Sequence, residues 1–457
     1  MKPVFFVTMW LSNALGQAPD TQWTKTFDFY NAYDCGMVVR ITNDGAYIIT
    51  GYAADLSVNI WKAFLLKTDT TGNEQWRRTS SYYALGYDVK QTSDKGYIIT
   101  GRAGPYENSN LLLIKTDSLG NEIWNKSLGG AGKEWGHSVL QTDDGGYIIL
   151  GSTDSYGAGN FDIWLIKADS LGNQLWTKTF GESLADYGNI IQKVNDGYII
   201  VGTTESFGAG WYDVWLIKID TLGNERWNKT YGGSSDDEGT SVEICIDGGY
   251  IITGWTWSYG AGGADVWIIK TDSLGNSLWT KTYGGTDTDA GWDVKQTLDG
   301  GYLIIGYAYS FGAGEQDIYL IKTDSLGNML WDKTIGGAQY DEAFSGQLAS
   351  DGGYILVGET NSFGNNDVWL IKIKPEIGIK ELDTKTNQKR IEASPNPFRT
   401  YTKVSGSKNA KILVYDIQGR FIGEYPAHNI GGDLRPGVYF VVSGIDKPDP
   451  IKVVKIK

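Results

Sequence analysis

Apolar and polar positions along this chain alternate with a period of two, and no stretch follows a helical period. One unit shows the pattern. His137-Ser-Val-Leu-Gln-Thr142 alternates between two faces, as a strand covered on one side does. Asp143-Asp-Gly-Gly146 follows, turn chemistry that suits the positive φ angles of a tight hairpin. Tyr147-Ile-Ile-Leu-Gly-Ser152 is a continuous apolar run, expected to be covered on both faces. A loop holding Ser155-Tyr-Gly-Ala-Gly159 leads to Asp162-Ile-Trp-Leu-Ile-Lys167. The turn Asp169-Ser-Leu-Gly-Asn173 then leads to Gln174-Leu-Trp-Thr-Lys-Thr179. The pattern predicts four strands joined by turns.

The unit recurs. The tyrosines of the phrase D-G-G-Y-I-I-x-G are Tyr47, Tyr97, Tyr147, Tyr198, Tyr250, Tyr302 and Tyr354, spaced 50, 50, 51, 52, 52 and 52 residues apart. A second phrase, W-x-K-T with small variations, starts at Trp23, Trp76, Trp124, Trp176, Trp227, Trp279 and Trp331. A period near 50 with several strands per unit is the mark of a propeller rather than a helical solenoid. The ends of the repeat region are complementary. Gln22-Trp-Thr-Lys-Thr-Phe27 is a fourth strand with no first three before it, and the last repeat stops at its third strand, Asp367-Val-Trp-Leu-Ile-Lys372. Pairing the two would hide an edge that otherwise invites aggregation. The expectation is an all-β chain whose residues 21–374 form a seven-bladed β-propeller closed by an N-terminal strand.

The phrase Asp117-Ser-Leu-Gly-Asn-Glu-Ile-Trp124 resembles the docking phrase of quinoprotein-like and delta-60-like propellers, one residue shorter and on a ring of seven units. The resemblance implies a structural role for Trp76, Trp124, Trp176, Trp227, Trp279 and Trp331, locking blade to blade, and implies fold rather than quinone chemistry.

Two sets of residues fall on the face that carries the longer, more varied loops. One is acidic: Asp34, Glu134, Asp186, Asp237, Asp289 and Asp341, with Ala84 in the second unit. Each precedes an innermost strand, so together they are expected to ring one mouth of the channel. The other is aromatic: Tyr156, Phe207, Tyr259, Phe311 and Phe363 in the Ser-aromatic-Gly loops, with Trp135, Tyr187, Trp211 and Trp292 nearby. A repeated Asp at a turn commonly caps backbone N–H groups, and a repeated aromatic commonly packs on the next blade. Read functionally, the two sets make an acidic, aromatic-lined bowl suited to sugar rings. Asp287, Asp289 and Asp293 add a spacing that could hold Ca²⁺; no other cofactor is expected.

Composition narrows the partners. Residues 1–374 carry 26 basic and 45 acidic side chains, a balance of −19, which repels nucleic acid and anionic membrane. Cys35 and Cys245 read as two buried free thiols. With two histidines, His137 and His428, and no nucleophile or phosphate-binding motif, nothing identifies an enzyme. Lys2, the apolar run Pro3 to Leu11 and Gly16-Gln17-Ala18 read as a secretory signal over residues 1–18. No stretch approaches the ~20 apolar residues of a membrane-spanning helix.

After a polar linker at 375–392 the period is lost, and residues 393–457 carry 10 basic and 5 acidic side chains, a balance of +5. Short strands between Gly and Pro turns predict a small β-sandwich. Three phrases stand out: Ser394-Pro-Asn-Pro-Phe398 (Pro395, Asn396, Pro397, Phe398), Val414-Tyr-Asp-Ile-Gln-Gly-Arg420 (Tyr415, Asp416, Gly419, Arg420) and Leu434-Arg-Pro-Gly-Val-Tyr-Phe-Val441 (Leu434, Pro436, Gly437, Tyr439). With Lys455 near the end, they look like the C-terminal sorting domain, type A, of the type IX secretion system. That resemblance implies export across an outer membrane and the secretion machinery as a partner. The whole reads as a monomeric, secreted or surface-displayed propeller that binds a glycan or a surface protein. A polysaccharide-degrading enzyme and a passive envelope component are the alternatives.

Overall fold

A computed structural model of the chain describes residues 18–376 and, beyond them, strands within 393–455. It divides into two compact units between Glu376 and Ile377.

The first unit is a seven-bladed β-propeller of four-stranded antiparallel sheets. Its innermost strands are Asp34–Ile41, Ala84–Gln91, Glu134–Gln141, Asp186–Val194, Asp237–Ile244, Asp289–Gln296 and Asp341–Leu348. Blade 7 takes its outermost strand, Thr21–Phe27, from the start of the chain, which pairs with Asp367–Ile373. The ring is closed where the split repeat predicts. Second and third strands are buried on both faces, so their apolar runs form the cores between blades. One core joins Ile148, Leu150, Ile163 and Leu165 of blade 3 to Ile200, Trp215 and Ile217 of blade 4.

Two repeated devices hold the blades in place. The outer-strand tryptophans dock on glycines of the next blade's turn: a Cβ on Gly120 would meet the Trp76 ring at 2.4 Å, and one on Gly172 the Trp124 ring at 2.6 Å. Gly120 also has a φ of 76°, so a side chain there is excluded twice. Buried third-strand lysines reach back to the first hairpin's Asp: Lys67 to Asp44 at 3.0 Å, Lys115 to Asp94 at 2.8 Å, Lys270 to Asp247 at 2.9 Å.

The second unit holds one four-stranded antiparallel sheet, ordered Phe421–Pro426, Lys411–Asp416, Gly437–Ser443, Ile451–Lys455. A two-residue ladder pairs Ala393–Ser394 with Lys403–Val404. Tyr415, Asp416, Gly437, Tyr439 and Lys455 lie on these strands. Pro395, Asn396, Pro397, Phe398, Gly419, Arg420, Leu434 and Pro436 lie outside the described residues, as do residues 1–17 of the expected signal and 377–392 of the linker. Among the described residues no helix is long and apolar enough to cross a membrane.

Candidate functional site: the mouth of the central channel

Every innermost strand carries a β-bulge one residue after its Gly or Ala. The register slips between Gly36 and Val38, Gly86 and Asp88, Gly136 and Ser138, Gly188 and Ile190, Gly239 and Ser241, Gly291 and Asp293, and Ala343 and Ser345. The extra residue has no ladder partner and is re-aimed, here into a channel of about 1180 Å³. The seven residues so presented are Met37, Tyr87, His137, Asn189, Thr240, Trp292 and Phe344. No two are alike. In a chain whose scaffold repeats this closely, a ring of unlike side chains is where recognition belongs.

Around this ring one side is aromatic with cations. Tyr87 stacks on His137 with centroids 5.8 Å apart, and Trp135 lies 5.5 Å from Tyr106. Trp135 Nε1 donates to Ser109 Oγ at 3.1 Å, which fixes the ring. Arg102 sits over Tyr106 at 5.6 Å. Burial takes His137 down to about 4, so it is neutral at physiological pH. The other side is aromatic with acids. Trp292 lies 5.4 Å from Trp255 and 5.7 Å from Phe344, and its Nε1 donates to Glu342 Oε1. Burial pushes Glu238 up to about 7, with Asp236 adding to it. It pushes Glu342 to about 7 as well, partly opposed by the Trp292 hydrogen bond. Glu359 is raised by the same cause and accepts a hydrogen bond from Tyr33. Deeper, a charged belt balances itself: Arg40 pairs with Asp88 at 2.9 Å and Lys295 with Asp293 at 2.7 Å. The mouth therefore offers flat apolar faces to stack on, and carboxyls that accept hydrogen bonds or, protonated, donate one.

Most of the expected bowl lies elsewhere. Asp34, Glu134, Asp186, Asp237, Asp289 and Asp341 are fully buried and turn into the wall between blades instead of ringing the mouth. Each accepts a backbone N–H from the preceding loop, as from Gly130 at 3.0 Å, Glu182 at 3.1 Å and Gly233 at 2.7 Å. In four of them the second oxygen takes the hydroxyl of Thr153, Thr204, Thr256 or Thr360. The cause is strand alternation: when the first residue points into the wall, the second, Trp135 or Glu238, points to the channel. Tyr156, Phe207, Tyr259, Phe311 and Phe363 each pack at a tilt against a third-strand aromatic, between 5.1 and 5.5 Å from Trp164, Trp215, Trp267, Tyr319 and Trp369. They do not line the channel. Trp211 is 72% exposed. Trp135 and Trp292 do line it, and Tyr187 stacks against Trp135. Asp287, Asp289 and Asp293 do not converge: Asp287 is exposed, Asp289 caps Gly285, and Asp293 accepts from Lys295. The signal for the residues missed (Tyr87, Arg102, Glu238, Trp255, Glu342, Glu359) is the same in each case. They occupy columns of the repeat that vary from blade to blade, with a residue type recurring at most twice, as glutamate does at 238 and 342.

No family model matches this chain. A stretch of 174 residues is 24% identical to the regulatory protein FlaEY of Caulobacter vibrioides, covering 32% of this chain and 18% of that protein's length. Among solved structures, PorZ, described as an essential surface component of the type IX secretion system of Porphyromonas gingivalis, has a TM-score of 0.44 and 13% identity. That match covers 94% of this chain and 60% of PorZ. The extracellular domain of BT4673, a putative one-component system from B. thetaiotaomicron, has a TM-score of 0.44 at 10% identity, over 93% of this chain and 57% of that one. The WD40 domain of Neurospora crassa Pan2 scores 0.46 at 10% identity, over 74% and 88%.

Proposed function

We propose that this propeller is a non-catalytic binding module, exported to the cell surface, whose channel mouth takes a glycan. The observation that carries the reading is the ring of seven unlike bulge residues, flanked by Trp135 and Trp255 and by the carboxyls of Glu238 and Glu342. Sugar rings stack their C–H faces on indole and phenol rings, while carboxyls bind their hydroxyls. The balanced belt below leaves no strong field for an anion. A glycan array probed with the full chain is expected to give a saturable hit that Trp292→Ala and Trp135→Ala each weaken by at least ~10-fold, as loss of a central aromatic anchor does. A hit that both variants leave undiminished places the ligand elsewhere, and a blank array sinks the reading.

A second reading rests on Glu238 and Glu342. Carboxyls that hold a proton near neutral pH are what a glycoside hydrolase uses as its general acid. Release of reducing sugar from a polysaccharide panel, lost in Glu238→Gln or Glu342→Gln, would move the assignment to an enzyme.

Export is supported by the three C-terminal phrases that look like a type IX sorting domain. In a bacterium carrying that apparatus, the full chain is expected to become accessible to added protease on intact cells. A chain ending at Glu376 is expected to stay inside. Surface exposure of both would remove the sorting role.

A further inference from the structure

At the channel mouth one cation stands without a partner. Arg102 lies on the second strand of blade 2, lines the channel and is only 8% exposed. Among the described residues no carboxylate pairs with it, and its buried Nε meets no acceptor. The other Arg and Lys side chains lining the channel are matched: Arg40 and Lys90 by Asp88 at 2.9 and 3.3 Å, and Lys295 by Asp293 at 2.7 Å. Lys133, 4.3 Å from the Tyr106 ring, is taken by Glu107 at 3.2 Å. The same ring lies 5.6 Å from the Arg102 guanidinium. A cation–π contact offsets only part of what it costs to bury an unpaired charge.

Blade 2 departs from the repeat at this point. Blades 3 to 7 carry a Ser-aromatic-Gly loop whose ring packs on an aromatic of the third strand. Blade 2 has Gly104-Pro-Tyr-Glu-Asn108 in the loop and Leu112 in the third-strand column. Tyr106 therefore has no third-strand ring to cover. It is 50% exposed, lines the channel and stands 5.5 Å from Trp135. The two rings give a sugar a face to stack on. In a uronic acid the carboxylate leaves the pyranose at its edge, so a stacked sugar can turn it toward a cation on the same wall. An arginine fork meets a planar carboxylate with two parallel hydrogen bonds. A phosphate monoester carries a second charge and would call for a second unpaired cation, whereas Lys133 is engaged. The balanced belt below draws no anion in from a distance, so the contact acts at one point, once the sugar is stacked.

We infer that Arg102 binds the carboxylate of an acidic sugar, a uronic acid residue stacked on Tyr106 and Trp135. The inference rests on the glycan reading above and names the class of glycan. Its test uses the full chain against polygalacturonate, alginate and hyaluronan, each beside its carboxyl-reduced, neutral counterpart, and against sulfated carrageenan. At least one uronate polymer is expected to bind saturably, and its reduced form at least ~10-fold more weakly, as loss of a charge-assisted fork does. Arg102→Met removes a buried charge that has no partner, so its melting temperature is expected to stay level or rise. That variant is expected to bind the acidic and the reduced polymer alike; if it does not fold, the wild-type comparison decides alone. Equal binding of both forms by the wild-type chain overturns the inference and leaves the glycan reading standing. Binding confined to carrageenan gives the cation to a sulfate and overturns the carboxylate. An Arg102→Met chain that keeps the wild-type preference overturns the role of Arg102. A blank on every polymer overturns the inference as well, while the wider array decides whether the glycan reading falls with it.

Discussion

Deleting residues 18–27 is expected to abolish the cooperative thermal transition of the propeller and send the protein into aggregates. That strand does three things at once. Its backbone completes blade 7, with Trp23 opposite Lys372, Thr24 opposite Ile371 and Phe27 opposite Val368. Phe27 is buried in a core shared with Val39, Phe64, Val357 and Leu370, so it joins blade 1 to blade 7 across the seam. Trp23 docks on the next blade, where a Cβ on Gly72 would meet its ring at 2.5 Å. Removing a buried Phe and a docked Trp takes away about 3–5 kcal/mol for each, a large part of what a domain has to lose. What remains has an exposed edge of sequence Asp367-Val-Trp-Leu-Ile-Lys-Ile373, apolar and β-branched, with no proline or bulge to blunt it. Calorimetry should show no sharp transition, and gel filtration a shift to large species. A truncated monomer melting close to the full chain would mean that the blades hold without closure.

The split repeat made that seam legible, because an incomplete unit at each end has one economical solution. The docking tryptophans were legible for a similar reason: a residue that recurs at Trp76, Trp124 and Trp176 with the same turn before it serves the same contact each time. Recurrence misled where function was concerned. Asp186 and Asp237 recur because each junction needs its loop capped, and Tyr259 and Phe311 recur because the third strands of blades 3 to 7 each present an aromatic to cover. The channel ring had the opposite signature, since Tyr87, His137, Trp292 and Phe344 share a column and nothing else. Reading that column required knowing that a bulge sits there. The bulge adds one residue to a period-two pattern, so that His137, which alternation counted back from the buried Val139 would put in the wall, faces the channel. Nothing in the local sequence beyond a Gly or Ala announces it.

Those bulges have a steric condition, which sets the second large effect. Gly254→Ala is expected to destabilise the propeller by at least ~3 kcal/mol, the upper end of what overpacking costs. Gly254 pairs with Gly239, beside the slip that releases Thr240 into the channel. Taking up the extra residue draws the inner strand's backbone over the second strand, and a Cβ on Gly254 would lie 1.7 Å from the Glu238 carbonyl oxygen. Backbone on both sides leaves no side chain to swing away. The same closeness recurs at Gly151, 1.9 Å from the Trp135 carbonyl, and at Gly306, 1.9 Å from that of Ala290. Gly248 supplies the contrast. Its φ is 83°, but a Cβ there meets nothing within 4 Å, so Gly248→Ala carries only the ~1 kcal/mol conformational penalty. Denaturant midpoints of the two variants separate the causes. If Gly254→Ala proves the milder change, the second strand can retreat from the bulge, and the ring at the channel mouth is not rigidly aimed. If it is the harsher by the margin expected, the glycine is the fixed point against which each bulge is thrown inward. The repeated scaffold then dictates where the seven unlike side chains stand, while leaving their identities free to fit a ligand.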